Sequence, residues 1–432
     1  MRYLYLDNFR GFSDSLIPLK DVNFLVGENS TGKTSALSIL KILSDGEFLK
    51  EGKFNTSDIE LGNFADLISG DRNGAKFTVG YISVDAVLSF LVSYKEVDNI
   101  PQIESVTYFV GKSRYYSDKE INARIVTARI LPKKIQYSVT QIDVFSVESL
   151  IKLHKNNIKD SIEEIKTKTE MGDSPIQRIF DVERKLYEKK KSKTFYLPLL
   201  LAFDNRIIWV APIRAEPKRT YDNIARGYEA NGSHIPIVLN KILNDKKHEL
   251  HNKVKEALQK FGKNSGLFKD IAARRYDSSD ISSPFELNIT LSNKPLKISN
   301  VGYGVSQVLP VIVETVMHGK KSEFAVQQPE VHLHPKAQAA LGEFFFDLAN
   351  LENKTFLIET HSDFLIDRFR LKIKESSDKK VKSQVLFFDK DPKTGGNRCT
   401  PIEIENNGKY SDQQPDNFQQ FFINELSTML EI

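Results

Sequence analysis

The chain has 432 residues, with 61 Lys and Arg against 57 Asp and Glu for a net charge of +4. With 40% hydrophobic and 27% charged residues, the composition excludes a disordered or fibrous chain, and the length allows two or three domains with a substantial core. The single cysteine, Cys399, excludes an intramolecular disulfide, and no charged-then-apolar leader or membrane-length apolar run is present, so a cytoplasmic protein with no membrane partner is expected.

Strands are predicted at Arg2–Asn8 and Asp21–Val26. The second enters Gly27-Glu28-Asn29-Ser30-Thr31-Gly32-Lys33-Thr34, a complete G-x-x-x-x-G-K-[ST] phosphate loop followed by Ser35, and a helix is predicted from Lys33 to Leu43. Strand, loop and helix in that order place phosphates at a helix amino end. Backbone N–H groups close on the phosphates, Lys33 reaches the β and γ oxygens, and the Thr34 hydroxyl ligates Mg²⁺. ATP and Mg²⁺ are the expected cofactors.

Apolar alternation then predicts strands at Phe77–Val84, Gln102–Val110, Ile121–Ile130 and Ile135–Val139. From Ser146 to Lys191 the spacing of Leu150, Ile151, Leu153, Ile158, Ile162 and Ile165 predicts a long charged helix or helical hairpin. Residues 195–215 return to core-like sequence around Trp209, and a basic helical segment is predicted at Ile237–Phe261. Further strands are expected at Phe285–Leu291, Glu323–Val326, Thr355–Ile358, Val385–Asp389 and Pro401–Ile404. Helices are expected at Val305–Val316, Pro335–Leu348, Ser362–Lys372 and Phe418–Leu430. The fold class is therefore α/β, one nucleotide-binding domain built from both chain ends with an insertion between them. The expected division is 1–70, 71–205 and 206–432.

Three downstream stretches complete the pattern. Gly302 to Gln307 leads glycines and a serine into a helix. Phe324 to Pro335 is an apolar strand ending in Gln327-Gln328-Pro329-Glu330, with His332 and His334 beyond, a histidine pair too sparse for zinc. Phe356 to Asp363 is another strand with His361 at its tip. In this order, with Asn8-Phe9-Arg10-Gly11-Phe12 and the stretches Leu61–Leu67 and Ala211–Arg219, the chain resembles the ABC-type ATPases of the SMC and OLD (overcoming lysogenization defect) group. The resemblance covers residues 1–70 and 205–432 and implies an ABC-type P-loop ATPase domain. It implies that Arg10 lies beside the nucleotide, that Gly27 to Ser35 hold the phosphates, and that Gly304 and Ser306 form a signature motif touching ATP on an opposing subunit. His361 corresponds to the switch histidine, and Glu330 is placed near the dimer seam. A homodimer or higher homo-oligomer closed on ATP follows.

The pattern breaks at Gln327, where the family has an acid in the Mg²⁺ shell, and Gln328 stands where many relatives place the water-polarising glutamate. An amide neither balances Mg²⁺ nor accepts a proton. A Glu→Gln trapping substitution at 327, a naturally slow ATPase, or rescue by Glu330 or Glu359 each account for it. The trapping substitution is the favoured reading, and the chain as written is expected to bind ATP and hydrolyse it slowly. Stand-alone ATPases of this group resemble components of bacterial anti-phage systems that control a separately encoded nuclease or toxin. The alternatives are a DNA-repair clamp using the basic stretches Lys241–Arg275 and Arg368–Lys382, which makes DNA a candidate partner, or a non-hydrolysing ATP-binding module. The Asp389/Asp391 pair invites a metal-nuclease reading but lacks a companion glutamate motif.

Overall fold

The computed structural model describes residues 1–45, 48, 53–70, 75–84, 89–110, 123–156, 163–166, 182, 184, 207–222, 224, 227–277, 279–280, 282–292, 294–377 and 380–418. The chain divides into two compact units. The first comprises Met1–Leu19, Glu28–Ile207 and Phe388–Cys399, and the second Lys20–Gly27, Ile208–Phe387 and Thr400–Ile432.

The first unit is built on an antiparallel sheet of β1 (Arg2–Asp7), β2 (Ser15–Leu19), β4 (Lys76–Ser83), β5 (Ser89–Val97), β6 (Ile100–Val110), β7 (Arg124–Leu131), β8 (Lys134–Gln141) and β9 (Glu163–Lys166). Their order is β2-β1-β4-β5-β6-β7-β8-β9. Phe77 of β4 and Tyr94 of β5 meet Phe54 and Phe64 in one aromatic cluster, with Phe77 stacked on Tyr94 at 5.2 Å. Helix α1 (Lys33–Leu43) leaves the phosphate loop, and α2 (Phe64–Leu67) follows in the same unit. Helix α3 (Val147–Lys155) packs Val147 and Leu150 against Tyr5, Ile82, Leu91 and Ile125 of the sheet.

A polar row crosses this sheet. Thr78, Ser93, Thr107 and Thr127, on β4 to β7, are all buried. His154 of α3 inserts among them, its Nε2 2.7 Å from Ser93 Oγ and its Nδ1 2.9 Å from Thr107 Oγ1. Thr78 lies 2.7 Å from Ser93, and Thr107 donates to Thr127 at 3.1 Å. Burying hydroxyls and an imidazole is tolerable because each finds a partner.

In the second unit β3 (Val22–Gly27), β14 (Glu323–Gln327), β15 (Thr355–Glu359) and the short β10 (Ile208–Val210) run parallel, with β15 seated between β3 and β14. The sheet order is β10-β14-β15-β3-β16-β17, where β16 is Ser383–Lys390 and β17 is Asn397–Ile404. β3 and β15 come from opposite ends of the sequence, so the sheet is assembled from both, as expected. Near-continuous apolar runs form these strands because parallel strands are covered on both faces. Helices α4 (Ile235–Asn244), α5 (His251–Ser265), α6 (Tyr303–Met317), α7 (Pro335–Glu352) and α8 (Asp363–Glu375) supply much of that cover. Phe356 meets Phe324 at 5.4 Å and Phe345 of α7 at 5.0 Å, and Phe24 meets Phe369 of α8 at 5.1 Å. Gly342 of α7 lies so close to α8 that an added Cβ would sit 2.1 Å from the Leu365 carbonyl. A small antiparallel sheet of β11 (Asp270–Arg275), β12 (Phe285–Thr290) and β13 (Pro295–Lys297) completes the unit.

Several expectations need correction. The charged segment at 146–191 is helical over Val147–Lys155, but Glu163–Lys166 is a strand paired with β8. There Tyr137 donates to Glu163 and Lys134 to Glu164, so cross-strand pairing overrides the helical spacing. Apart from residues 182 and 184, the rest of that segment lies outside the described residues, as do nearly all of the predicted Phe418–Leu430 helix and the first two residues of Ile121–Ile130. The basic helix at Ile237–Phe261 is two helices, α4 and α5, with Asp245 the extended residue ending α4. Strands β2, β5, β10, β11 and β13 and helix α2 were not predicted. No described helix is long and apolar enough to cross a membrane.

Candidate functional site

In the first unit the loop's glycine and lysine chemistry is visible in the backbone. Ser30 and Gly32 adopt φ of 63° and 96°, the left-handed turns that aim successive N–H groups to one side. An added Cβ on Gly32 would sit 2.5 Å from Phe12 and 2.7 Å from Asn397. Only glycine fits. Lys33 is buried and its Nζ donates to the Glu28 carbonyl at 2.6 Å, while the Thr31 hydroxyl donates to the same carbonyl at 2.8 Å. The arrangement curls Glu28-Asn29-Ser30-Thr31-Gly32 into a ring at the head of α1. That helix has no acid in its first turn and no side-chain cap, so its amino end and Lys33 suit a polyphosphate. Thr34 and Ser35 stand in its first turn, Thr34 exposed.

Arg10 joins this assembly. Its Nη2 donates to Leu61 O at 2.8 Å and its Nε to Asp66 O at 3.1 Å, and Nη1 lies 3.5 Å from Ser35 Oγ. Partial burial lowers the Arg10 pKa, with Asp66 opposing. The Asn8–Phe12 turn is fastened by Asn397, which donates from its side chain to Arg10 O and from its backbone to Gly11 O, both at 2.7 Å. Sequence reading missed Asn397.

In the second unit Gly27 ends β3, Glu359 ends β15 and Gln327 ends β14, so Gly27 and both polar strand tips share the carboxyl edge of the parallel sheet. Ligands of α/β sheets bind at that edge. Gln327, Glu359 and Glu330 are buried. Gln327 Nε2 donates to Glu359 Oε2 at 2.9 Å, and Gln328 N donates to Glu359 O at 2.7 Å. Gln328 takes φ of 41°. Arg214, from the loop after β10, donates through Nη2 to Gln327 O at 2.8 Å and Gln328 O at 3.4 Å. Burial lowers the Arg214 pKa to about 10, with the Glu330 charge opposing. Glu330 Oε1 accepts from His361 N at 2.8 Å. Burial raises the Glu330 pKa, and hydrogen bonds from the His361 backbone and Thr360 oppose it. Arg214 had been noticed only as part of a matching stretch.

The signature-like segment differs in presentation. Gly302 and Tyr303 are exposed, whereas Gly304 lies buried against His332 and Ser306 donates to Tyr303 O at 2.8 Å within its own helix. His332 packs edge-on to Tyr303 at 5.6 Å, and His334 caps α7 by accepting from Ala337 N. No group of three or more potential metal-ligating side chains occurs among the described residues. Asp389 is paired with Arg398 and Asp391 accepts from Lys393 N and Thr394 N at 2.9 Å. Both acids therefore serve the β16–β17 turn.

A complete phosphate loop opening helix α1 agrees with the family match, in which the model of the AAA ATPase domain covers residues 1–366. The chain belongs to the AAA ATPase-domain family. No curated protein matches its sequence. Among solved structures, this AAA ATPase domain is similar to the SMC head domain from Thermotoga maritima at 12% identity, covering 94% of this chain and 100% of that one with a TM-score of 0.38. It is similar to the Smc head domain of Pyrococcus furiosus bound to the C-terminal domain of ScpA at 11% identity, covering 99% and 100% with a TM-score of 0.40. The recombination mediator protein RecF shares 12% identity over 92% of this chain and 97% of that one, with a TM-score of 0.29.

Proposed function

We propose that this AAA ATPase domain binds Mg²⁺·ATP on the Gly27–Ser35 loop, hydrolyses it slowly, and uses the bound nucleotide to hold an assembly of its own copies. The observation that carries the reading is the Gln327–Glu359 pair. The family's acidic strand tip is here a neutral amide whose donor is committed to a neighbouring carboxylate. Mg²⁺, with the Thr34 hydroxyl as its protein ligand, would neutralise phosphate charge as the leaving group departs. This chain's own contribution is to cradle the phosphates in backbone N–H groups, to place Lys33 on them, and to present Gln328 and His361 from the strand tips. Gln328 can orient a water but cannot take its proton.

Within that reading the domain is the ATP-binding subunit of a bacterial anti-phage complex that restrains a separately encoded nuclease or toxin. The support is the sequence resemblance together with a site suited to holding rather than spending nucleotide. A DNA clamp is less favoured because each basic stretch spends some of its side chains on the protein's own acids. Lys253 and Lys260 pair with Glu352 and Asp347 at 2.9 and 2.7 Å, and Arg368 and Arg370 pair with Glu343 and Asp367 at 3.5 and 2.7 Å.

The test is mass measurement and ATP titration on the full chain and its Lys33→Ala variant. ATP should increase the assembly mass of the parent, and the variant should bind ATP at least about tenfold more weakly, the worth of one charge-assisted contact. An unchanged mass with saturating ATP would overturn the assembly step, and equal affinity in the variant would overturn the site. Co-expression with the neighbouring genes identifies the restrained effector.

A further inference from the structure

In the second unit, two deeply buried side chains next to the Gln327–Glu359 pair hold polar atoms with no hydrogen-bond partner among the described residues: Nε and Nη1 of Arg214, and Oε2 of Glu330. Interior charges of this kind are expensive and are kept where they fix something. What they touch is specific. Arg214 bonds the two carbonyls at Gln327 and Gln328, flanking the left-handed Gln328 backbone, a conformation that persists in a non-glycine residue only when its surroundings impose it. Glu330, two residues on, bonds the backbone N–H of His361. The Gln327 side chain and Gln328 N–H make the remaining ties to Glu359. With the Thr360 hydrogen bond to Glu330, the turn at 327–330 and the turn at 359–362 are joined at four points.

We propose that Glu330 and Arg214 are positioning residues, which lock these two turns together so that Gln328 and His361 are aimed as one unit. Glu330 acts on His361 through its backbone, not on a water. Glu330 is 8% exposed, and its Oε1 meets the 359–362 turn at His361 N. Arg214 holds the opposite side of the turn and supplies the charge that offsets the buried carboxylate. The inference rests on the proposed reading only in taking Gln328 and His361 to face nucleotide.

Hydrogen–deuterium exchange of the segment 359–366 in the full chain separates the two questions. Glu330→Gln keeps a carbonyl oxygen for His361 N–H and should leave exchange within about threefold of the parent. Glu330→Ala should accelerate exchange at the His361 amide by at least about tenfold, and Arg214→Lys should do so partly. In a Gln327→Glu background, Glu330→Ala should lower kcat by about tenfold or more with ATP affinity unchanged, and Glu330→Gln should restore it. Unchanged exchange in Glu330→Ala would overturn the positioning role, as would turnover in Glu330→Gln as poor as in Glu330→Ala, the signature of a general base. If the Gln327→Glu chain shows no turnover, the hydrolysis reading fails, while the exchange rates still decide whether the latch exists.

Discussion

At the scale of single residues, Gln327 decides how the site behaves. Its amide hydrogen bonds to Glu359 at 2.9 Å inside the protein, so Gln327→Glu would replace an attractive contact with two carboxylates side by side. Such a pair cannot both ionise without a counter-charge. We expect Gln327→Glu to lose about 1–3 kcal/mol of stability in the absence of metal, to regain it with Mg²⁺·ATP, and to hydrolyse ATP at least about tenfold faster. Thermal melts with and without Mg²⁺·ATP, alongside phosphate release, check this. A variant that melts like the parent in both conditions would show that no divalent cation reaches Gln327. The phosphate loop was legible in the sequence because each of its residues acts within a few positions of the next. Arg214 and Asn397 were not. Their carbonyl partners lie 113 and 387 residues away, at Gln327 and Arg10, and nothing in the local spelling marks an arginine or asparagine that serves a distant turn.

At the scale of elements, α3 carries a buried, hydrogen-bonded histidine alongside its apolar face. Burial, reinforced by the charges of Lys76 and Lys155, takes the His154 pKa down to about 3, against about 6.5 in an unfolded chain. Because the folded value is the lower one, the stability tied to the neutral ring is complete above about pH 6.5. It drains as pH falls toward 3, by up to about 1.4 kcal/mol per pH unit. Between pH 6.5 and 4.5 the parent should therefore lose about 2 kcal/mol more than His154→Gln in urea unfolding. Parallel losses would mean that the ring titrates alike in both states. Helix α3 was half-read from its hydrophobic spacing, and the mistake at Glu163–Lys166 has a clear cause. Ile165 fits a helical stripe, yet as a strand residue it pairs with Ile135 across β8 and β9. Periodicity in so short a charged stretch does not outweigh a sheet edge waiting for a partner.

At the scale of the whole molecule, the parallel sheet was foreseeable from apolar runs ending in polar residues, whereas the antiparallel strands β2 and β5 had weaker signals beside turn-rich sequence. Charge is the other global property. The excess of basic residues is small, and within the two basic stretches Lys253, Lys260, Arg368 and Arg370 pair with the protein's own acids. DNA binding measured by fluorescence anisotropy should then show a slope of log affinity on log salt shallower than about −2, the release expected from neutralising about two phosphates. A slope near −5 would restore the clamp.

The hydroxyl row across the first unit's sheet also has a sense of direction. Thr107 spends its one proton on Thr127, so it must receive from His154 Nδ1, which leaves Nε2 to accept from Ser93 and Ser93 to accept from Thr78. The ring is thus fixed as its Nδ1–H tautomer, and donors point from β4 toward β7 along the whole row. A second proton on the ring would make Nε2 a donor too, and the Ser93 and Thr78 hydroxyls would have to turn round together. Protonation of the folded ring would therefore be read as a reversal of dipoles on β4 and β5.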